Sequence, residues 1–385
     1  MAEFIFWLCL LLPVYAYLGY PLLLTLLAPF FPALRHGQAA PLDVSIVIAA
    51  HNEARHIEEK LRTVLAQDYQ ARSLQIILAS DGSTDDTVTC ARKVIDPRIS
   101  VLDLPRQGKA ATLNAGAALS TGEILVFTDA DNQWSTDTLG HLLAPLADPA
   151  VGACAGHMLI PVTGKGLSIG DSLYRHYEGW LRKVENRTGC MVAADGALLA
   201  LRRELFQNVP AQVNDDFFIS TCAPVAFKRI VFVPQAQVID RGVDEADKQF
   251  RRRQRVTVGG LQSLAQRREL LNPLKHGLYA IALISHKLIR RLAPILLLPL
   301  LLSSLWLWNA HGFYRLSLIA QLLGYAVAIT GLLDSQHRLP KPFRLAAFLL
   351  VTLAGMSIGL WQFLRGQRYA QWNPEQIDER SVPWR

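Results

Sequence analysis

The sequence is poor in cysteine, and the few cysteines it contains are not grouped. Five occur in 385 residues, with no CxxC pair and no cluster of cysteine with histidine. A disulfide framework and a structural zinc site both need paired or grouped cysteines, so this spacing argues against both. Several of the five lie in apolar runs, which predicts buried free thiols and a reducing compartment for the middle of the chain.

Charge is also scarce. Asp, Glu, Lys and Arg make up 18% of the chain, against 51% for hydrophobic residues. The apolar residues are concentrated at both ends, which is typical of a membrane protein with a soluble region between its apolar segments. The net charge of +7 suits either nucleic acid or the anionic cytoplasmic face of a bilayer. The apolar ends favour the bilayer, so we expect contact with membrane lipids and no nucleic-acid partner.

Residues 4–28 form an apolar run long enough to cross a hydrocarbon core of about 30 Å as a helix. A cleaved signal peptide is the alternative, but no basic residue precedes the run and no clean cleavage site follows it, which favours an uncleaved anchor. Three more apolar segments lie late in the chain, at 292–310, 314–333 and 343–364. The stretch before them, 274–291, mixes apolar and basic residues and predicts an amphipathic helix at the inner interface.

The distribution of basic residues predicts a topology. It places residues 35–272 in the cytosol, with the linker 334–344 on the same side of the membrane. The last apolar segment breaks this pattern if it crosses, because the two arginines that follow it would then lie outside. Gly355 and Gly359 also weaken this segment, so the sequence favours a non-crossing or irregular structure at 343–364.

Short, β-rich apolar runs alternate with helical patterns through the middle of the chain. The runs are 43–50, 74–80, 124–129, 151–160 and 229–234. Fully apolar strands separated by helices predict an α/β fold with a mostly parallel sheet covered on both faces. Ligands of such sheets bind beyond the carboxyl ends of the strands. The residues at those ends are therefore the candidates for function.

Polar residues follow the first two strands. The first strand runs into Ala50 and Glu53, and the second runs into Asp81. Lys109 then opens a helix, where a cation and backbone N–H groups can bind a phosphate, although the spacing of a Walker loop is absent. Taken singly, each of these features is also explained by ordinary turns and helix caps.

The strand at 124–129 leads into two carboxylates, Asp129 and Asp131. Two acids at positions i and i+2 after a buried strand repel one another, and a hard divalent cation holds them together. The pattern predicts a Mg²⁺ or Mn²⁺ site that bridges to a diphosphate. The alternative is an exposed acidic turn that caps the helix near Ser135.

Two further acids and a basic stretch complete the candidates. Asp195 lies in an apolar run, and Asp216 begins a helical stretch. Both positions are compatible with simple capping, but an ionised acid near the head of a helix also suits a general base. The basic stretch 245–269 predicts a helix that faces solvent or lipid headgroups, with one or two arginines free to clamp phosphate.

In order and placement these motifs resemble the inverting glycosyltransferases of family 2. The similarity is to the membrane branch that contains poly-N-acetylglucosamine, hyaluronan and cellulose synthases and exopolysaccharide glycosyltransferases. It implies a GT-A fold, a Rossmann-like domain with a mostly parallel sheet, inserted between transmembrane helices. The implied units are a transmembrane anchor (1–34), the GT-A domain (35–272), an amphipathic interfacial helix (273–291) and a C-terminal transmembrane region with a tail (292–385).

The resemblance also assigns roles on the donor side of the site. It implies that Ala50 and Glu53 line the nucleotide pocket. It implies that Asp81 contacts the uracil or ribose and that Lys109 approaches the nucleotide.

The remaining roles concern the metal, the sugar and the acceptor. Asp129 and Asp131 match the family's DxD, with Asp131 as the main metal ligand and Asp129 near the ribose and diphosphate. The resemblance places Asp195 near the donor sugar or acceptor. Asp216 occupies the last position of the family's TED or ED motif and is the implied catalytic base.

The family's QxxRW motif is only partly present. Arg255 is retained as the implied diphosphate contact. Val256 replaces the tryptophan that helps to form the acceptor platform of processive synthases. A single transfer to a lipid-linked or growing saccharide is therefore an alternative to polymerisation.

The resemblance implies a membrane glycosyltransferase that uses a nucleotide-diphosphate sugar, with a UDP-sugar favoured, and a divalent cation, Mg²⁺ or Mn²⁺. The acceptor would be a saccharide or lipid-linked saccharide, the transfer would invert configuration, and the product would belong to a cell-surface or extracellular polysaccharide. We expect a multi-pass protein of the inner (plasma) membrane with a cytosolic catalytic domain, and a polysaccharide-export subunit is a candidate partner. A polyprenyl-phosphate sugar synthase and a non-catalytic nucleotide-sugar sensor of the same fold are the alternatives.

Overall fold

The computed structural model describes residues 1–32, 41–159, 168–194, 196–239, 246–334 and 338–367. Within these ranges, eight strands form one sheet. They are β1 (Asp43–Ala50), β2 (Ser73–Asp81), β3 (Ile99–Leu104), β4 (Ile124–Asp129), β5 (Gln133–Trp134), β6 (Val151–Leu159), β7 (Leu198–Arg202) and β8 (Arg229–Ile239).

The strand order across the sheet is β3-β2-β1-β4-β7-β6-β8-β5. β1 pairs in parallel with β2 and β4, β2 pairs in parallel with β3, and β6 pairs in parallel with β8. β7 lies antiparallel between β4 and β6, and β5 is antiparallel to β8. The predicted mostly parallel sheet is therefore confirmed, with antiparallel strands in its second half.

The helices are α1 (Ala2–Val14), α2 (Tyr20–Leu27), α3 (Ile57–Leu65), α4 (Thr87–Lys93), α5 (Lys109–Leu119), α6 (Thr138–Leu143), α7 (Ser168–Arg187), α8 (Asp215–Ser220), α9 (Cys222–Val225), α10 (Ala246–Gln266), α11 (Pro273–Leu283), α12 (Arg290–Trp306), α13 (Gly312–Leu333) and α14 (Lys341–Leu364).

Both faces of the sheet are covered, because alternate residues of the apolar strands enter different cores. Ile46 and Ile48 of β1 pack with α3 and α6 on one face. Val47 and Ala49 pack with α5 and α8 on the other. Burial on both faces explains why β1 and β4 are uninterrupted apolar runs.

Four helices are long and apolar enough to cross a membrane, judged by length and composition: Ala2–Phe30, Pro273–Trp306, Gly312–Leu333 and Lys341–Leu364. The first joins α1 to α2 through a π-helical turn, and the second joins α11 to α12 in the same way, with a kink at Gly277. The segment predicted as an interfacial helix thus runs on into the first C-terminal apolar segment. Its position at the interface stays a prediction.

The last apolar segment is a continuous helix, α14, and not the irregular structure that its glycines suggested. A Cβ atom on Gly355 would lie 2.9 Å from the Phe250 carbonyl oxygen, and one on Gly359 would lie 2.9 Å from the Gln254 carbonyl oxygen. Small residues four positions apart let two helix backbones approach closely. These glycines therefore serve the packing of α14 against α10.

Candidate active site

The candidate site lies where the carboxyl ends of β1, β2 and β4 meet the first residues of α5 and α8. Asp81 ends β2 and is 1% exposed. Its carboxylate accepts hydrogen bonds from Arg106 Nη1 at 2.6 Å and from the backbone nitrogens of Gln107 and Gly108 at 2.7 and 3.0 Å. Asp81 therefore fixes the loop that leads into α5, and its predicted contact with a nucleotide stays a prediction.

The turns after β1 and β2 are bonded to each other. Asn52 adopts a positive φ of 58°, and its side-chain oxygen accepts from Thr84 N at 2.8 Å. The backbone nitrogen of Glu53 donates to Thr87 Oγ1 at 2.8 Å, and the Glu53 side chain is buried. Ala50, the last residue of β1, is also buried. Ala50 and Glu53 thus border the strand end predicted to bind a nucleotide.

Lys109, the first residue of α5, connects two acidic elements. Its Nζ lies 2.8 Å from Asp129 Oδ1, at the end of β4, and 3.0 Å from Asp215 Oδ2, at the start of α8. Burial lowers the pKa of Lys109, but the two carboxylates outweigh it, so the pKa lies above its ordinary value. The lysine is therefore a permanent cation that holds the strand end and the helix start together.

Asp131 lies near Asp129, one of the two carboxylates that pair with Lys109. Burial raises the pKa of Asp129, and the nearby Asp131 and Asp215 carboxylates raise it further, while Lys109 acts in the opposite direction. The Asp131 side chain is exposed at the mouth of the site. Carboxylates of like charge brought together in this way favour a bound cation.

A divalent cation fits this donor set. Within the described residues, no group of three or more His, Cys, Asp or Glu side chains is arranged to hold a metal by itself. Mg²⁺ usually binds through one or two carboxylates and completes its shell with water and substrate phosphates. Asp129 and Asp131 would supply the carboxylates for such an ion.

Behind the metal site lies a buried lysine that the sequence did not single out. Lys60 Nζ donates to Thr128 Oγ1 at 3.0 Å and to Asn132 Oδ1, and it lies 4.8 Å from the centre of the Trp134 ring. The sequence signal that could have identified Lys60 was its position on the apolar face of α3, between Ile57 and Leu61. Lys60 therefore braces the turn that carries Asp131.

Asp216 lies in the first turn of α8, where its Oδ1 accepts from Phe217 N at 2.7 Å. With Lys109, Asp129 and Arg255 it lines a cavity of about 260 Å³. The structure thus brings four predicted site residues to one cavity, although they come from distant parts of the chain. Asp195, the remaining sugar-side candidate, lies outside the described residues.

Arg255 faces this cavity from α10. Within the described part of the chain it forms no ion pair, so its guanidinium is available to an anionic ligand. α10 comes close to the start of α8 because Gly259 has no side chain: a Cβ atom there would overlap Asn214 Oδ1. The Gly259 position therefore sets the separation between Arg255 and Asp216.

Comparison with known proteins agrees with this architecture. Residues 45–208, which contain most of β1, all of β2 to β4 and both DxD carboxylates, match the protein family Glycosyl transferase family 2. The similarity to this family that the motifs implied is therefore confirmed over these residues.

Two curated relatives and one solved structure illustrate the similarity. An "Uncharacterized glycosyltransferase alr2836" of Nostoc sp. is 28% identical over 44% of this chain and 53% of its own length. An N-acetylglucosaminyltransferase of Mesorhizobium japonicum is 31% identical over 50% of this chain and 50% of its own. The chain thus spans about half the length of these relatives.

The solved structure is a mannosyltransferase, PcManGT, from Pyrobaculum calidifontis in complex with GDP-Man and Mn²⁺. It is 24% identical, covers 96% of this chain and 100% of its own, and superposes with a TM-score of 0.70. At this identity the likeness shows the fold, which confirms the predicted GT-A architecture with flanking apolar helices.

Proposed function

We propose that the chain transfers a sugar from a nucleotide-diphosphate donor to the hydroxyl group of a saccharide or lipid-linked saccharide, with inversion at the anomeric carbon. The observation that carries the proposal is the double ion pair of Lys109 with Asp129 and Asp215. This lysine joins the end of β4, where a diphosphate would bind, to the helix that carries Asp216. The ion pairs of Lys109 would therefore hold the departing diphosphate and the proposed base, Asp216, on opposite sides of the reacting carbon.

The mechanism is a direct displacement. Asp216 accepts the proton of the acceptor hydroxyl as that oxygen attacks the anomeric carbon, and the bond to the donor diphosphate breaks. Lys109 and Arg255 stabilise the negative charge that develops on the departing diphosphate. A divalent cation held by Asp131 and Asp129 would add electrostatic stabilisation at the same oxygens.

The donor pocket is assigned to the ends of β1 and β2. Ala50, Glu53 and Asp81 border it, and Asp195 is assigned to the donor sugar or acceptor. UDP is the nucleotide favoured by the sequence resemblance. Since the Pyrobaculum protein is a complex with GDP-mannose and Mn²⁺, GDP-mannose belongs in the donor panel as well.

The proposed domain units are 1–34, 35–272, 273–291 and 292–385, and the site is proposed to face the cytosol at the inner membrane. The four apolar helices support membrane insertion. The positive-inside distribution supports the orientation. Synthesis of a cell-surface or extracellular polysaccharide is the proposed setting, since similar proteins include a succinoglycan biosynthesis protein and a poly-beta-1,6-N-acetyl-D-glucosamine synthase. An export subunit stays a candidate partner on the sequence resemblance alone.

The test is incubation of membranes that contain the chain with UDP-sugars and GDP-mannose, each with Mg²⁺, Mn²⁺ or EDTA. We expect release of nucleoside diphosphate from one donor, and loss of that release in EDTA. Product extraction separates a long glycan, which stays in water, from lipid-linked products, which dissolve in organic solvent. A reaction with polyprenyl phosphate that carries no saccharide then identifies a polyprenyl-phosphate sugar synthase. Cation-dependent donor binding without turnover on any acceptor would favour the sensor.

A further inference from the structure

A second cavity, of about 280 Å³, lies on the other side of Asp216. Gly196, Asp216 and Val256 line both this cavity and the one that contains Lys109 and Asp129. The two cavities therefore adjoin at Asp216, so an acceptor held in the second cavity would lie next to the candidate base.

The second cavity is rich in cations. Seven Lys and Arg side chains line it, against three carboxylates. Two of those carboxylates are already paired: Asp171 with Arg175 at 2.7 Å, and Glu178 with Arg290 at 2.6 Å. The positive charge in the cavity is therefore not balanced by the acids that line it.

Three of the basic side chains have unused donors. Within the described residues, neither Lys287 nor Arg291 forms an ion pair with a carboxylate. Arg290 is 4% exposed, and its Nη1 has no hydrogen-bond partner among the described residues. Lys287 and Arg291 are half-buried cations without a carboxylate partner among the described residues, and an anionic ligand would supply that partner.

Arg291 occupies a place prepared for it. Its Nη1 donates to the Lys287 carbonyl oxygen at 3.0 Å, one turn earlier in the same helix. Its Nη2 lies so close to α10 that a Cβ atom on Gly260 would overlap it. Because neither glycine has a side chain, α10 packs closely against Asn214 at Gly259 and against Arg291 at Gly260.

The location of the cavity indicates which anion it takes. Three of the four apolar helices contribute to its wall: Tyr17 from the first, Lys287 from the second and Met356 from the last. The cavity therefore lies where the apolar helices join the α/β domain, which is the depth of lipid headgroups if these helices cross a bilayer.

We propose that this cavity binds the phosphate or diphosphate group of a polyprenyl-linked acceptor, with Lys287 and Arg291 as its main contacts. The inference rests on the proposed function and specifies its acceptor. A neutral growing glycan would leave the cations without partners, whereas a phosphate or diphosphate is matched by guanidinium and ammonium donors. The saccharide attached to it would then extend towards Asp216.

The experiment measures binding to the full chain in nanodiscs, in EDTA so that no cation draws a diphosphate to Asp129 and Asp131. The probes are geranylgeranyl diphosphate, geranylgeraniol and inorganic pyrophosphate. We expect the lipid diphosphate to bind at least tenfold more tightly than either of the others. Lys287→Gln and Arg291→Gln should each weaken it by about tenfold, since each removes a charge-assisted hydrogen bond.

Lys275→Gln is the matched control, because Lys275 is exposed near the start of the same apolar helix and does not line the cavity. It should bind the lipid diphosphate within twofold of the wild type. If Arg291→Gln fails to fold, Gly260→Ala is the second variant, because its methyl group displaces the guanidinium with no change of charge.

Equal binding of geranylgeraniol and the diphosphate would overturn the proposal, as would unchanged affinity in Lys287→Gln and Arg291→Gln. Equal binding of inorganic pyrophosphate would overturn the assignment to a lipid. Binding of UDP in the presence of Mg²⁺ is measured in parallel. A chain that binds the lipid diphosphate but shows no cation-dependent UDP binding would contradict the proposed function and retain the second site.

Discussion

The two cavities that meet at Asp216 differ in their balance of charge. The cavity at the end of β4 is lined by three carboxylates and three basic side chains, and two of its carboxylates, Asp129 and Asp215, are held by Lys109. The cavity against the apolar helices has an excess of arginine and lysine. Under the two proposals made above, the first cavity would bind a diphosphate through a metal ion and the second would bind a phosphate group directly.

The largest effect is expected for a substitution of Asp216, which lines both cavities. Asp216→Asn removes the proton acceptor and keeps the shape of the side chain, so kcat should fall by about 10²- to 10⁴-fold. Dissociation constants of UDP and of the lipid diphosphate should stay within twofold. Isothermal titration and donor-turnover assays on the same preparation measure both. Transfer at the wild-type rate would remove Asp216 from the role of base.

A smaller effect is expected for Asp131→Ala, on UDP binding but not on lipid-diphosphate binding. The exposed carboxylate is the proposed main metal ligand, so its loss should weaken Mg²⁺-dependent UDP binding by at least about tenfold, or 1.4 kcal/mol. Lipid-diphosphate binding in EDTA should not change. Asp137→Ala is a control, because Asp137 is also exposed but pairs with His141 on α6. Equal UDP affinity in Asp131→Ala and the wild type would contradict the metal site.

The smallest effect concerns the basic cavity and works through packing. Gly359→Leu adds a side chain where a Cβ atom already meets Gln254 and Thr257 of α10 at 2.9 Å, so it should destabilise the α10–α14 contact by about 1–3 kcal/mol. Affinity for the lipid diphosphate should fall more than affinity for UDP. Gly324→Leu on α13 is the matched control, because a Cβ atom there meets nothing within 4 Å. Equal losses in both variants would argue against a specific role for the glycine contact.

Sequence patterns predicted the first half of the sheet closely. The runs 43–50 and 124–129 coincide with β1 and β4, because a strand buried on both faces reads as an unbroken apolar run. β3 was missed because it is only partly buried. β7 was missed because it is only five residues long and its antiparallel pairing has no local signal.

The site was predictable in part for a similar reason. Residues at strand ends, such as Asp81 and Asp129, are placed by the sheet itself, so local patterns find them. The approach of Arg255 to Asp216 depends on the packing of α10, which no short pattern specifies. Sequence reasoning assigned most arginines of the basic stretch 245–269 to solvent or headgroups. It could not predict the cavity that α10 lines together with Lys287 and Arg291, because that cavity forms only when helices distant in the sequence meet.

The contact between α14 and α10 has a consequence for biosynthesis. α14 is the last described helix in the chain, so it leaves the ribosome after the other described helices. Its glycines nevertheless pack against the backbone of α10, the helix that carries Arg255. A nascent chain that has completed the α/β domain therefore lacks the support that places this arginine. Under the proposed function, sugar transfer would begin only after α14 has packed against α10, which would couple the onset of sugar consumption to the folding of this apolar helix.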